Sequence, residues 1–273
     1  MKTPWNQEAV RILPAKLDLA GQPWCQAALL LHIRGTGALR WEARNLPPEA
    51  DPYSSAFCLT LRGTHLLSAH IVGCGTSESF LCAGWGLDTA GCPELEALRE
   101  VLNCGFACLE DAVPALSPLL ELLPEGCYVL AEGEAYPAEG GGRFFWDVPD
   151  RLISSPATSM TRLDDDDFDV QYEHLPPVFL YPSQRRSRLD MERVNYYRDR
   201  LRQEGPAPHG LALGVTEGMS VLLDGHHKAA AAALLGRTLP CLTVLRLEHY
   251  ELRPVTAPPR HLVPVIPRRD ERY

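Results

Sequence analysis

The five residues from Asp224 to Lys228 place an acid, a glycine, two histidines and a lysine directly before a run of alanines. A short apolar stretch precedes them, and alanine favours helices, so the pattern predicts a strand, a glycine turn and a helix. The first backbone amides of a helix lack internal partners, and the helix dipole adds partial positive charge there. With the charge of Lys228, this turn is predicted to hold a phosphate group.

Other interpretations of the same residues stay open at the level of sequence. His226 and His227 also fit a capping or structural role, and one of them fits a metal ligand. Lys228 also fits an ordinary exposed helix lysine. Under the phosphate interpretation, the candidate catalytic residues are Asp224, His226 and His227.

The elements that must position this turn begin near residue 178. VFLYP predicts a short strand, and SQRRSR predicts a basic loop. Asp190 is a candidate N-cap for a helix whose apolar residues recur on one side and which ends near Gly205. Two strands, the alanine-rich helix and a last strand, LPCLTVLRL, complete the order strand, helix, strand, strand, helix, strand.

Two segments of this region together resemble the ParB/sulfiredoxin-like superfamily. YPSQRRSRLDMERVNYYRDRLRQEGPAPHGLALG is similar to a family box with a Pro-x-Gln-Arg turn, a helix, a glycine and a strand. VLLDGHHKAAAAALLGRTLPCLTVLRL is similar to a second box, in which a strand precedes Asp-Gly-His-His and a basic residue. The resemblance covers residues 178–247 and implies an α+β fold. A small mixed sheet with helices would follow a strand-rich α+β domain of unassigned fold.

The resemblance also implies a ligand and an activity. The ligand would be ATP or ADP, bound together with magnesium. The protein would act as an NTPase or as a phosphotransferase. Asp224 would orient a histidine or the magnesium ion, and the second substrate, a small molecule or a protein, is not identified. The positions implied to bind the nucleotide phosphates are Gly225, His226, His227, Lys228, Gln184 and Arg185.

Departures from the family pattern narrow this expectation. Sulfiredoxins carry a cysteine where His226 stands, so sulfinic acid reductase activity is not expected. Lys228 stands where arginine is more common in the family. Its ammonium group is a point charge and cannot bind a phosphate through two parallel N–H groups, as a guanidinium does. The glutamate that free serine kinases carry near the first box is missing, and the first acids there are Asp190 and Glu192. A ParB-like DNA-binding or nuclease module and a non-catalytic interaction scaffold are the alternative functions.

The distribution of charge bears on these alternatives. The net charge of the 273 residues is −9, but residues 178–273 contain 15 Lys and Arg against 10 Asp and Glu. A basic C-terminal part favours phosphate groups, whereas the acidic remainder disfavours contact of the whole molecule with DNA. The arginines of the helix after Asp190 alternate with acids, which is typical of a solvated face. Nucleic acid is therefore the less favoured partner.

The chain is long enough for more than one domain. We predict a strand-rich α+β domain at 1–158, an acidic linker at 159–177, the ParB/sulfiredoxin-like domain at 178–250 and a proline-rich tail at 251–273. Turns at 35–37 and 62–64 each join two predicted strands. A helical region begins at Pro93, with interruptions at Pro114 and Pro124, and CYVLAEGEAY and GRFFWDV have strand character.

The nine cysteines and the absence of a long apolar run indicate the cellular setting. No Cys-x-x-Cys pair occurs, and Cys104 and Cys108 provide at most half of a metal site. We expect reduced cysteines, mostly buried, and no metal bound directly by a cluster of side chains. No stretch approaches the roughly 20 apolar residues that span a bilayer, so the sequence predicts a cytoplasmic protein without membrane contact.

Overall fold

The protein has an α+β fold with two sheets and four α-helices among the residues that the computed structural model describes. The described residues are 6–13, 25–44, 55–72, 77–81, 92–135, 137, 153–154, 158–162, 167–172, 179–184, 186–216 and 219–247. The α+β class predicted from the sequence is confirmed. None of the described helices is long and apolar enough to cross a membrane.

Sheet 1 has seven strands and mixed direction. Two of its pairings are parallel, and the remaining pairings are antiparallel. Its strands in spatial order are β1 (Val10–Ile12), β2 (Cys25–Ile33), β7 (Gly126–Ala135), β14 (Leu239–Leu247), β12 (Gly210–Thr216), β13 (Met219–Asp224) and β11 (Phe179–Pro182). The parallel pairs are β12 with β14 and β11 with β13.

Sheet 2 is antiparallel throughout its described pairings. Its strands in spatial order are β3 (Leu39–Arg44), β4 (Ser55–Leu61), β5 (Thr64–Val72), β6 (Ser77–Leu81), β10 (Asp167–Tyr172), β9 (Thr158–Arg162) and β8 (Ile153–Ser154). Arg62 and Gly63 have positive φ angles of 49° and 78°, which form the tight turn predicted between β4 and β5. The strands predicted on either side of 35–37 are present, but β2 and β3 enter different sheets.

The predicted domain limits do not coincide with the limits of the sheets. Sheet 1 combines β1, β2 and β7 from the predicted first domain with the four strands that follow residue 178. Strands β9 and β10 fall largely within the interval predicted as an acidic linker, and they pair with each other. The predicted strand GRFFWDV (142–148) and the proline-rich tail lie outside the described residues.

The four helices are α1 (Pro93–Cys104), α2 (Leu109–Leu120), α3 (Met191–Arg202) and α4 (His226–Leu234). Pro93 opens α1, where its missing amide costs no hydrogen bond. The predicted interruption at Pro114 is wrong, because α2 carries both Pro114 and Pro118. The chain breaks instead at Gly105, whose φ of 73° ends α1. Both prolines are exposed, so water can bond the carbonyl groups that lack an amide.

The core lies mainly between sheet 1 and the helices. Helix α2 packs against β2, α4 packs against β12 and β14, and α3 covers α4. Leu31 belongs to this large core, whereas Leu30 belongs to a smaller cluster with Val129, because neighbouring strand residues point to opposite faces. The six cysteines whose side chains are described are free, and four of them are buried, as predicted.

Candidate functional site

The turn between β13 and α4 requires glycine for a reason internal to the fold. Gly225 has a φ of 103°, a left-handed conformation that other residues rarely adopt. A Cβ atom at this position would lie 3.1 Å from the Cα of Gly210 in β12. The turn therefore packs closely on the neighbouring strand, and this contact is sufficient to explain the glycine.

His226 connects the start of α4 to the end of β11. Its Nε2 accepts a hydrogen bond from the backbone N–H of Ser183 at 3.1 Å, and the Ser183 hydroxyl donates to the carbonyl of Leu222 at 2.6 Å. Burial lowers the pKa of His226 to about 3, an effect that Asp224 opposes and His227 reinforces. The imidazole is therefore neutral near pH 7, and its proton is on Nδ1 because Nε2 is the acceptor.

His227 makes the equivalent connection to α3. Its Nε2 accepts a hydrogen bond from the backbone N–H of Asp190 at 3.0 Å. Asp190 is the N-cap predicted from the sequence, and its carboxylate accepts from the N–H of Glu192 at 2.9 Å. Both histidines are buried, and each uses its Nε2 to hold a preceding segment against the start of α4.

Lys228 is a buried cation, with 2% of its surface exposed. Its ammonium group donates to the carbonyl of His209 at 2.8 Å, lies 3.5 Å from Oδ2 of Asp224 and sits 5.6 Å from the ring centre of Tyr197. Burial lowers the pKa of Lys228, and the carboxylate of Asp224 acts in the opposite direction. The carbonyl, the carboxylate and the ring together replace the water that the ammonium group loses.

Helix α1, which belongs to the predicted first domain, completes one wall of the site. Nε of Arg99 lies 3.7 Å from Oδ1 of Asp224. Tyr197 donates from its hydroxyl to Oδ1 of Asn103 at 3.2 Å, and the N–H of His209 donates to the carbonyl of Leu102 at 2.8 Å. These contacts fix α1 next to the start of α4.

These residues surround a pocket of about 50 Å³, which has room for a few water molecules or one phosphate-sized group. Three cations and one carboxylate line it, so its formal charge is positive. Arg193, on the exposed side of α3, has no ion pair among the described residues. The lining residues are Arg99, Asn103, Gln184, Arg193, Tyr197, Asp224, Gly225, His226, His227 and Lys228.

Gln184 lies in the wall of this pocket and is 3% exposed. Its Oε1 is buried and has no hydrogen-bond partner among the described residues. An unpaired buried carbonyl is costly, and it is therefore a reason to expect a ligand at this point. Arg185, the second residue predicted from the same turn, lies outside the described residues.

The structure thus brings six predicted residues to one pocket: Gln184, Asp224, Gly225, His226, His227 and Lys228. Arg99, Asn103 and Tyr197 were not predicted from the sequence, and Arg193 was assigned to a solvated face. A weak signal was present, because Arg99 and Asn103, like Arg193 and Tyr197, are four residues apart on one helix face. Nothing in that spacing indicates which element the face contacts.

The pocket offers one carboxylate among its described residues as a direct ligand for magnesium. Asp224 is the carboxylate among the lining residues, and both of its oxygens face cations, Lys228 and Arg99. Across the part of the chain that the structure describes, no three His, Cys, Asp or Glu side chains converge on a possible metal site. Mg²⁺ in nucleotide sites usually keeps several waters and is held by one or two carboxylates together with phosphate oxygens. Asp224 is the lining side chain that could supply such a carboxylate.

Three arginines of α3 make local contacts on their own helix or at its end. Arg198 and Arg202 lie 3.9 and 3.5 Å from Oδ1 of Asp199, and Arg200 donates to the side chain of Gln203 at 3.3 Å. These pairs match the alternation of charges seen in the sequence. The pocket, by contrast, combines three cations with one carboxylate.

Comparisons of the chain with family models, curated proteins and solved structures gave no match.

Proposed function

We propose that the pocket at the start of α4 binds a phosphate group of a nucleotide of the ATP or ADP type. The observation that carries this proposal is the convergence of Arg99, Arg193 and Lys228 on a space of about 50 Å³ at a helix N-terminus. The amides of the first helical turn and the helix dipole add to these charges. The nucleotide chemistry itself rests on the resemblance to the ParB/sulfiredoxin-like superfamily, and the location would be cytoplasmic.

The roles within the site differ from those that the family pattern implies. Arg193 is exposed and unpaired among the described residues, so it would make the principal contact with the phosphate. Arg99 would contribute from the opposite wall while it also faces Asp224. Lys228 would act through its charge, because its hydrogen bond to the carbonyl of His209 fixes its position. His226 and His227 would hold the surrounding segments in place.

Binding is better supported than a reaction. A general acid or base at neutral pH needs a pKa near 7, whereas burial lowers the pKa of His226 to about 3. Asp224 is already placed next to two cations of the protein itself, Lys228 and Arg99. NTPase or phosphotransferase activity would therefore depend on positioning and on charge neutralisation, with a second reactant supplied from outside.

The direct test is calorimetric titration of the full chain with ATP, ADP and CTP, using the Arg193→Gln variant for comparison. A hydrogen bond between charged groups contributes about 1.5–3 kcal/mol, so we expect Arg193→Gln to weaken nucleotide binding by about tenfold to a hundredfold. Arg193 is exposed, and the variant should therefore unfold at the same denaturant concentration as the parent protein.

Arg202→Gln provides the matched control. Arg202 is exposed on the same helix but does not line the pocket, and its partner is Asp199. We expect this variant to bind nucleotide as the parent protein does. The proposal is contradicted if the parent protein binds none of the three nucleotides at millimolar concentration, or if both variants weaken binding equally.

A further inference from the structure

We infer that the pocket selects an anion that carries its own hydrogen-bond donor, so that it binds hydrogen phosphate in preference to sulfate. This inference rests on the proposed function and specifies the ligand chemistry of the same pocket. It follows from two lining residues that carry acceptor groups, Gln184 and Asp224, in a pocket whose other charged residues are cations. A site built for a fully deprotonated anion would have only donors at these positions.

The first acceptor is the side-chain carbonyl of Gln184. The residue is 3% exposed, and its Oε1 is buried without a partner among the described residues. A buried carbonyl oxygen gains a hydrogen bond only from a donor, because it has no proton to give. The neighbouring Ser183 does not fill this role, since its N–H and its hydroxyl bond His226 and Leu222.

The second acceptor is the carboxylate of Asp224. It lies 3.5 Å from Nζ of Lys228 and 3.7 Å from Nε of Arg99, distances longer than strong charge-assisted hydrogen bonds. The carboxylate therefore keeps acceptor capacity toward the pocket. It also repels any anion whose oxygens are all deprotonated, and this repulsion exceeds that in bulk water because Asp224 is 8% exposed.

The groups on the other walls supply the attraction. Arg99, Arg193 and Lys228 are the cations that face the pocket, and the start of α4 adds its dipole. His226 is neutral near pH 7 because its burial lowers its pKa. The balance favours a ligand that places negative oxygens toward the cations and an O–H toward Gln184 and Asp224.

A comparison of phosphate with sulfate tests whether the ligand must carry a hydrogen-bond donor. Both are tetrahedral oxyanions of similar size, but near pH 7 phosphate carries at least one proton and sulfate carries none. Hydrogen phosphate can therefore donate to Gln184 or Asp224, and sulfate can only present acceptors to them. Terminal phosphates of nucleotides have a similar second ionisation, with a pKa of about 6, so a protonated fraction is present near neutral pH.

The experiment is calorimetric titration of the full chain at pH 6.5 and constant ionic strength with inorganic phosphate and, separately, with sodium sulfate. The measured quantity is the ratio of the two dissociation constants. We expect phosphate to bind at least about tenfold more tightly than sulfate, since one hydrogen bond is gained and one acceptor repulsion is avoided. Equal binding of the two ions would overturn the inference but leave anion binding, and hence the proposed function, intact. Binding of neither ion would contradict the proposed function itself.

Variants of Gln184 test whether this residue causes the preference for phosphate over sulfate. Gln184→Met keeps the length of the side chain and removes the acceptor, so the preference for phosphate should fall several-fold with little change in sulfate binding. Gln184→Glu restores an acceptor and should keep phosphate preferred over sulfate. Gln203→Met is the matched control, because Gln203 is exposed at the end of α3 and does not line the pocket.

The opposite orientation of the Gln184 amide would present an N–H₂ donor to the ligand. Gln184→Met would then weaken the binding of sulfate as much as the binding of phosphate, which overturns the inference. Circular dichroism and urea unfolding of each variant identify a change in folding. If Gln184→Met is unfolded, the phosphate-to-sulfate ratio of the parent protein and of Gln184→Glu still decides the question.

Discussion

The polar residues at the start of α4 and the arginines opposite them use their side chains in different ways. His226, His227 and Lys228 are buried, and each bonds a backbone group of another segment. Arg193 lies on the exposed face of α3 and has no ion pair among the described residues. We call His226, His227 and Lys228 the frame of the site, because their side chains hold other segments in place. In the proposed site, Arg193 on another helix supplies the charge that would contact the ligand.

This difference shows why residue type alone is a weak guide to ligand contact. A histidine or lysine next to a helix start has the chemistry to hold phosphate, but the same hydrogen-bonding capacity also serves packing. Burial decides between the two uses, because a buried polar group must find a partner within the protein. The variants described below separate residues of the frame from residues that would contact the ligand.

The largest effect is expected from Asp224→Asn. This change leaves the ammonium group of Lys228 buried without its carboxylate partner, and it also removes the charge opposite Arg99. Breaking a buried ion pair costs about 3–5 kcal/mol, so we expect the free energy of unfolding in urea to fall by about that much. Asp199→Asn is the control, because the exposed pairs of Asp199 should contribute less than about 1 kcal/mol. Similar losses in both variants would show that Lys228 does not depend on Asp224.

His226 should make the stability depend on pH. Above pH 6.5 the residue is neutral in both states, whereas between pH 6.5 and about 3 the unfolded chain binds a proton that the folded protein does not. The free energy of unfolding should therefore fall as the pH falls through this range, by up to about 1.4 kcal/mol per pH unit from this residue.

His226→Gln tests that assignment. Glutamine offers an oxygen to the N–H of Ser183 and does not titrate, so the variant should lose most of this slope. His32→Gln is the matched control. Burial lowers the pKa of His32 as well, with contributions from Arg11 and Arg34, but the residue is less buried and should account for a smaller part. Unchanged slopes in both variants would mean that His226 is not held neutral by the fold.

A smaller effect is expected from Tyr197→Phe. The change removes the hydrogen bond to Asn103, one of the contacts between α3 and α1, and keeps the aromatic ring near Lys228. A single hydrogen bond contributes about 1 kcal/mol to the free energy of unfolding, and we expect a loss of that size in urea. Tyr196→Phe, which alters an exposed tyrosine, should have no measurable effect. A loss from Tyr196→Phe that equals the loss from Tyr197→Phe would contradict this role.

Local features of the sequence predicted much of the C-terminal part of the fold. The strand and helix order after residue 178 is confirmed, as is the cap at Asp190, because caps, glycine turns and apolar spacing act over a few residues. Interruptions of the N-terminal helical region were predicted at Pro114 and Pro124. Pro114 lies inside α2, because an exposed proline can be accommodated within a helix, and the break occurs at Gly105 instead. Helix α2 ends at Leu120, before Pro124.

The composition of the pocket was predictable only in part. The turn from Asp224 to Lys228 follows from the local pattern, whereas Gln184 was assigned to the same site through the family resemblance. The parallel pairing of β11 with β13 brings the two segments together. Arg99 enters the pocket because α1 packs beside α3, through contacts between residues about 90 positions apart in the sequence. The periodicity or spacing of residues within one segment does not predict a contact between two helices that are far apart in the sequence. The same holds for the joining of β7 to β14 in sheet 1.

The most direct test of the account is a crystal structure of the protein grown with ADP. We predict that the terminal phosphate lies at the start of α4, within hydrogen-bond distance of Arg193, while Ser183 still donates to Nε2 of His226 and Asp190 still donates to Nε2 of His227. A phosphate bound by Nε2 of either histidine, with those backbone contacts broken, would contradict the division between frame and ligand contact. A phosphate bound elsewhere on the molecule would contradict the assignment of the site.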